Sequence, residues 1–157
     1  MKKYLKGLLI VLVLFLSVTL IAGCTEETEN KTVGLGETFN FDDLEITLGK
    51  NISFTKVENE FSEDNGKTVV KVPITIKNLK SETHSLNMFY YKAFGANGTE
   101  LDDKAAYYDD SIDFAGELRS GASYTKYLYY LYDADGKYAI EFDNWSTKVT
   151  VEFDVKK

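Results

Sequence analysis

The chain reads as an all-β protein: an antiparallel sandwich of about eight strands following a cleaved leader. Three observations predict this. From Val33 onward apolar residues recur at every second position, the period of a strand with one buried face. Clusters of Gly, Asn and Asp break those runs at short intervals and supply turns. No long window carries the 3.6-residue period of an amphipathic helix.

The clearest strand is Thr147–Val155, where Val149, Val151, Phe153 and Val155 alternate with Lys148, Thr150, Glu152 and Asp154. Tyr138, Ile140 and Phe142 alternate in the same way, and Asp143-Asn144 joins the two runs as a C-terminal hairpin. Leu44, Ile46 and Leu48 form another strand, and Val70, Val72, Ile74 and Ile76 a longer one. The latter holds Pro73, the only proline. Proline has no N–H for a ladder, which predicts an edge strand or a bulge there. Thr38–Phe41, Ile52–Val57, Leu86–Phe94 and Tyr124–Tyr132 complete the set. About eight short strands favour a sandwich, with a closed barrel as the alternative.

The N-terminus is a targeting signal. Lys2, Lys3 and Lys6 precede an uncharged apolar run, Gly7–Ala22, shorter than the roughly 20 residues of a spanning helix. Leu20-Ile21-Ala22-Gly23-Cys24 resembles the lipobox of bacterial lipoproteins. That resemblance implies a diacylglyceryl group on the Cys24 thiol and cleavage after Gly23. The alternative is an uncleaved anchor with an incidental cysteine. Acyl burial contributes roughly 0.8 kcal/mol per CH₂, so two chains hold stably where one does not. The organisation expected is therefore signal peptide 1–23, lipidated Cys24 and flexible tether 24–32, and sandwich 33–157. The polar Thr25–Thr32 tether spans at most about 28 Å.

Loss of the three leader lysines from 18 basic against 25 acidic residues leaves the mature chain at −10. Such a surface disfavours nucleic acid and anionic head groups, so the lipid alone must attach the protein to the outer, extracytoplasmic face of the membrane. Cys24 is the only cysteine, so no internal disulfide forms and the fold rests on its core. Its 11 Tyr and 10 Phe supply ample apolar area for one domain.

Between Val33 and Val155 the pattern resembles an uncharacterised family, the immunoglobulin-like domains of Gram-positive surface lipoproteins, similar in fold to a mycobacterial secreted immunogenic antigen. Three features carry the resemblance: Gly36–Phe39 ahead of Leu44-Glu45-Ile46-Thr47, the run Val69–Asn78 ending in Lys-Asn, and Gly116-Glu117-Leu118 to Gly121 leading into Tyr124–Tyr132. The resemblance implies an antiparallel immunoglobulin-like β-sandwich and secretion. It implies no active-site residue.

Candidate chemistry is sparse. His84, the only histidine, precedes Ser85 in a polar stretch that reads as a solvated loop, and no Gly-x-Ser-x-Gly elbow accompanies it. Calcium is the best metal candidate. Glu100, Asp102, Asp103, Asp109, Asp110 and Asp113 lie in one short stretch, and Ca²⁺ takes six to eight oxygens. Asp133-x-Asp135-Gly136 is a second acidic loop, but it lacks EF-hand spacing. The third candidate is aromatic. Tyr127 and Tyr129 share one face of a strand, Tyr130 and Tyr132 the other. One face must fill the core; the other could present a platform to a partner, unless both are buried. The expected function is a non-catalytic binding module of the cell envelope, its partner a surface protein or wall glycan. A calcium-dependent surface domain is the alternative. An enzyme or solute receptor fits least, because one lobe leaves no interlobe cleft.

Overall fold

The computed structural model describes residues 29–157; the leader, the lipobox and Cys24 lie outside the described residues. The strands are β1 (Glu29–Gly34), β2 (Thr38–Phe41), β3 (Leu44–Leu48), β4 (Ser53–Lys56), β5 (Thr68–Asn78), β6 (His84–Ser85), β7 (Tyr91–Phe94), β8 (Glu117–Leu118), β9 (Ser123–Leu131), β10 (Gly136–Asp143) and β11 (Thr147–Val155). They form two principal sheets. One has the order β1-β11-β10-β7. The other is built around β5, which pairs β9 along most of its length, β3 over its C-terminal half and β4 over its N-terminal end, with β2 beyond β3. The short pair β6–β8 stands apart from both.

Alternation places one face of each strand inward. Phe39, Phe41, Ile46, Val72, Ile74, Leu128 and Tyr130 from one sheet meet Ile140, Phe142, Val149 and Val151 from the other in a single core. The Phe142 ring sits 5.3 Å from Phe39 and 5.8 Å from Phe41. Each fully buried aliphatic side chain contributes about 1.5–3 kcal/mol. The all-β sandwich therefore stands as expected.

Three local expectations are corrected. Pro73 lies in the central strand of its sheet, not at an edge. A residue's N and O point to the same side of a strand, and the Pro73 carbonyl accepts from Gly49 N at 2.8 Å. The missing N–H thus faces the gap between the end of β3, opposite Ile74, and the start of β4, opposite Lys71. Gly49 suits the approach, because a Cβ there would lie 3.0 Å from the Pro73 ring and force one of the two to shift. Second, the later part of the expected tether, Glu29–Thr32, belongs to β1, which pairs β11 in parallel; its polar side chains are exposed on an edge strand, so composition concealed a strand held by backbone hydrogen bonds. Third, Leu86–Phe94 is a strand only from Tyr91. The Asn87 side chain accepts from Phe89 N at 3.0 Å and caps a 3-10 turn at Met88–Tyr90.

The registers give the sandwich two distinct ends. At one, Glu29 lies opposite Thr147 and donates to Ser146 O at 3.1 Å. The Asp42-Asp43 turn and the 3-10 turn share this end, where Phe41 meets Tyr90 edge-on at 6.2 Å. At the other, Lys157 bonds Asp135 and Thr68, and the loop 57–67 joins β4 to β5.

Ile74→Ala, in the middle of β5, is expected to cost about 2–5 kcal/mol in denaturant unfolding. Alternate β1 amides should be protected in hydrogen exchange; immediate exchange across Glu29–Gly34 would restore the tether.

Candidate functional site

The outer face of β5 and β9 is roofed by the segment 101–114. Its backbone runs along the free edge of β9: Leu131 N donates to Asp102 O, Lys104 N to Tyr129 O, Ile112 N to Tyr127 O and Tyr127 N to Asp110 O. Under this roof Val57, Val69 and Tyr129 form a second small core. The Tyr108 ring stacks on Tyr129 at 3.9 Å and 11°, and the Tyr108 hydroxyl donates to Lys56 O at 3.0 Å.

Lys71 projects into the same layer. Its Nζ lies 2.7 Å from Asp110 Oδ2 and 3.8 Å from the Tyr127 ring centre. The Tyr129 hydroxyl donates to the other Asp110 oxygen. Hydrogen bonds from Lys71 and then Tyr129 hold the Asp110 carboxyl below its ordinary range against desolvation. Burial, followed by Asp110, pushes Tyr129 up to about 12. Desolvation opposes the Lys71 charge, yet Asp110 and Tyr129 together raise its value.

This arrangement corrects the tyrosine platform. Tyr129 and Tyr130 are 1% and 3% exposed, so neither can meet a partner. Tyr130 enters the main core, where its hydroxyl is the one described buried side-chain polar atom with no hydrogen bond. Tyr127 and Tyr132 are half-buried. Lys71 holds Tyr127, and Tyr132 donates to Asp135 Oδ1 at 2.7 Å while meeting Phe54 edge-on. From Tyr127 to Leu131 both faces of β9 are covered.

The acidic residues disperse into separate roles. Asp103 accepts from the Tyr91 hydroxyl at 2.7 Å and Ala105 N at 2.6 Å. Asp113 accepts from Ala115 N at 2.8 Å. Glu100 pairs Lys92 at 3.0 Å, and the exposed Asp102 stands 3.8 Å from Lys104. Asp109 is exposed, its carbonyl 3.4 Å from Lys126 Nζ. Among the described residues no three His, Cys, Asp or Glu converge in a metal-ligating group. Asp133 accepts from the Tyr138 hydroxyl and from Ala134, Ala96 and Asn97 N–H groups. Although burial opposes its charge, these donors lower its value. His84 is not a solvated loop residue: it is 7% exposed in β6, with Nε2 3.1 Å from Asp42 Oδ2. It ties β6 to the Asp42-Asp43 turn, whose residues adopt φ 51° and 59°.

Two exposed features had no signal in the period-two pattern. The first is the loop 57–67. Asp64, nearly buried, receives Lys67 and Lys104, each Nζ at 2.7 Å; these hydrogen bonds, Lys104's first, lower its value. Asn59 accepts from Phe61 N, Asn65 from Asn59 N, Ser62 from Asp64 N, and the Ser62 and Tyr107 hydroxyls meet at 2.9 Å. Phe61 stands on this braced loop 92% exposed. The second is a shallow cleft of roughly 120 Å³ at the opposite end, lined by Phe89, Tyr90, Lys92, Glu141, Asp143 and Trp145. Phe89 and Trp145 are 81% and 88% exposed. The Asp143 carboxylate accepts from Trp145 N at 2.9 Å and holds the turn at φ 74°.

A two-sheet β-sandwich with one outer face roofed and exposed aromatics at both ends defines the class. The chain belongs to the family described as Domain of unknown function (DUF4352), whose pattern matches residues 33–151. Among solved structures it is similar to Bacillus subtilis ycdA, described as a "putative lipoprotein", with TM-score 0.61 and 16% identity over 76% of this chain. This chain spans only 39% of that one. An uncharacterized beta-sandwich protein of Clostridium difficile matches with TM-score 0.54 and 17% identity, covering 81% of this chain and 96% of the other. The secreted Mycobacterium tuberculosis protein MPT63 matches with TM-score 0.54 and 13% identity, covering 79% and 96%. At these identities the likeness is one of fold. No curated protein matches the chain.

Because Asp64, Asp110 and Asp133 titrate below their ordinary 3.8, their stabilisation is complete above that pH and lost as pH falls through the lowered values. Denaturation between pH 4 and 2 should show a steep loss of stability that is shallower in Asp110→Asn. The alkaline sign is opposite: Tyr129 and Tyr138, pushed up to about 12 by burial and by Asp110 and Asp133, stabilise fully below their ordinary value of 10 and lose that contribution towards 12. Tyr130→Phe removes an unsatisfied hydroxyl and should raise stability by about 1 kcal/mol. Millimolar Ca²⁺ should leave the unfolding midpoint unchanged against EDTA; the roughly 2.7 kcal/mol given by a ligand at a hundred times its Kd would instead place a metal among the acids.

Proposed function

We propose that the protein is an extracytoplasmic, lipid-anchored and non-catalytic binding module that engages a protein of the cell envelope through the loop bearing Phe61. The leader 1–23 followed directly by Cys24 supports the anchor, and the fold shared with a "putative lipoprotein" and a secreted protein agrees with it. The observation that carries the binding reading is Phe61, 92% exposed on a loop braced by its own hydrogen bonds and by Asp64. An apolar side chain so displayed contributes little to the fold. Ordering of the loop is already met, which lowers the entropic cost of association. Aromatic anchors at interface centres carry most binding energy.

The loop lies at the end of the sandwich away from Glu29, where the chain arrives from Cys24, so it faces outward from an anchored protein. A wall glycan is the alternative partner, through stacking on a sugar face.

A photoreactive residue at position 61 of the full lipidated chain, activated in intact cells, is expected to give a discrete protein adduct. Phe61→Ser should weaken retention on isolated envelopes roughly thirtyfold, the effect of about 2 kcal/mol, with an unchanged unfolding midpoint. Adducts to peptidoglycan alone would transfer the site to a glycan, and undiminished retention of the variant would remove the loop from the interface.

A further inference from the structure

The turn that carries Trp145 lies where the chain enters the sandwich. Glu29 N donates to the carbonyl of Ser146, next to Trp145, at 3.1 Å. Cys24 precedes Glu29 by five residues, a reach of at most about 17 Å. On the anchor proposed above, whatever holds Cys24 therefore holds Glu29 within that distance of the lipid surface, with the Trp145 turn beside it. Across the cleft stand Phe89, 81% exposed, and its neighbour Met88, 55% exposed.

The side chains fit that location. Tryptophan combines a large apolar ring with one N–H donor and concentrates where hydrocarbon meets water. Three of the surrounding lysines are compensated at short range, Lys148 by Glu141 at 2.8 Å, Lys92 by Glu100 at 3.0 Å and Lys80 by Asp43 at 3.2 Å, while Asp143 in the cleft and Glu29 beside the turn add exposed negative charge. With a mature charge of −10, the approach to head groups rests on the apolar side chains and not on charge. The turn's backbone also disfavours its occupant. A non-glycine residue at φ 74° sits in the sparsely populated left-handed region.

We propose that Trp145, Phe89 and Met88 insert into the head-group layer of the bilayer that holds Cys24, seating the sandwich on its anchored end and turning the Phe61 loop away from the membrane. The contact is apolar, so it forms on zwitterionic lipid and persists in salt. It adds a second attachment to the acyl chains and restricts rotation of the domain about its short connection.

Trp145 is the only tryptophan, so its fluorescence reports this one site. The full lipidated chain is reconstituted in phosphatidylcholine vesicles and compared with the Cys24→Ser chain in buffer. Expected are a blue shift of emission, quenching by phosphatidylcholine brominated on its acyl chains, and loss of quenching by aqueous acrylamide. The double variant Phe89→Ser, Met88→Ser should reverse part of the shift without altering unfolding. A chain that floats with the vesicles while Trp145 stays open to acrylamide overturns the contact and leaves the anchor standing. A chain that does not float overturns both. A shift produced by soluble wall muropeptides and not by vesicles overturns the contact and makes the cleft a glycan site.

Discussion

Both edges of β5 are hydrogen-bonded, its inner face is buried and the N-terminal half of its outer face is roofed, and the remainder of the molecule follows from meeting those demands. Its inner face, with Val70, Val72, Ile74 and Ile76, forms half of the main core. One edge is filled by β9. The other is shared by β3 and β4, and Pro73 falls at the join, where no donor is required. The outer face sets the hardest condition, because Val69 and Lys71 lie on it together. An apolar side chain there needs a cover, and a half-buried ammonium group needs a counter-charge. Tyr108 and Tyr129 give the first, Asp110 the second. The acidic, tyrosine-rich segment is thus explained as the roof of a central strand.

That segment shows where sequence reasoning succeeds and where it stops. Alternation reports that a strand has two different faces, and β2, β3, β9, β10 and β11 were legible within about a residue for that reason. It cannot report what lies over the second face. Tyr127 and Tyr129 are amphipathic, so a water-facing platform and a layer beneath a loop produce one pattern. Only the backbone bonds from 101–114 to β9 separate the two. The acids were ambiguous in the same way. Clustering in sequence suggests a shared ligand, yet Asp103, Asp110 and Asp113 point to a tyrosine, a lysine and a backbone N–H respectively. Even β1 was hidden, since Glu29–Thr32 is stabilised by the ladder to β11 and by no apolar side chain of its own.

The exposed residues show what folding does not require. Asp42 and Asp43 at positive φ occupy a two-residue turn between β2 and β3, where short polar side chains tolerate left-handed backbone and His84 fixes one of them. Their strain has a structural return. Trp145 is in an equivalent backbone state, and it and Phe61 are the two most exposed of the large apolar side chains described. Serine at 61 would serve the fold at least as well. Side chains that the fold does not need are those whose identity is set by what lies outside it. These two stand at opposite ends of the sandwich, one beside the residue that leads back to Cys24 and the other as far along the strands as the fold allows. Were one end kept on a surface and the other offered to a partner, as proposed, apolar groups would be of use at those two places.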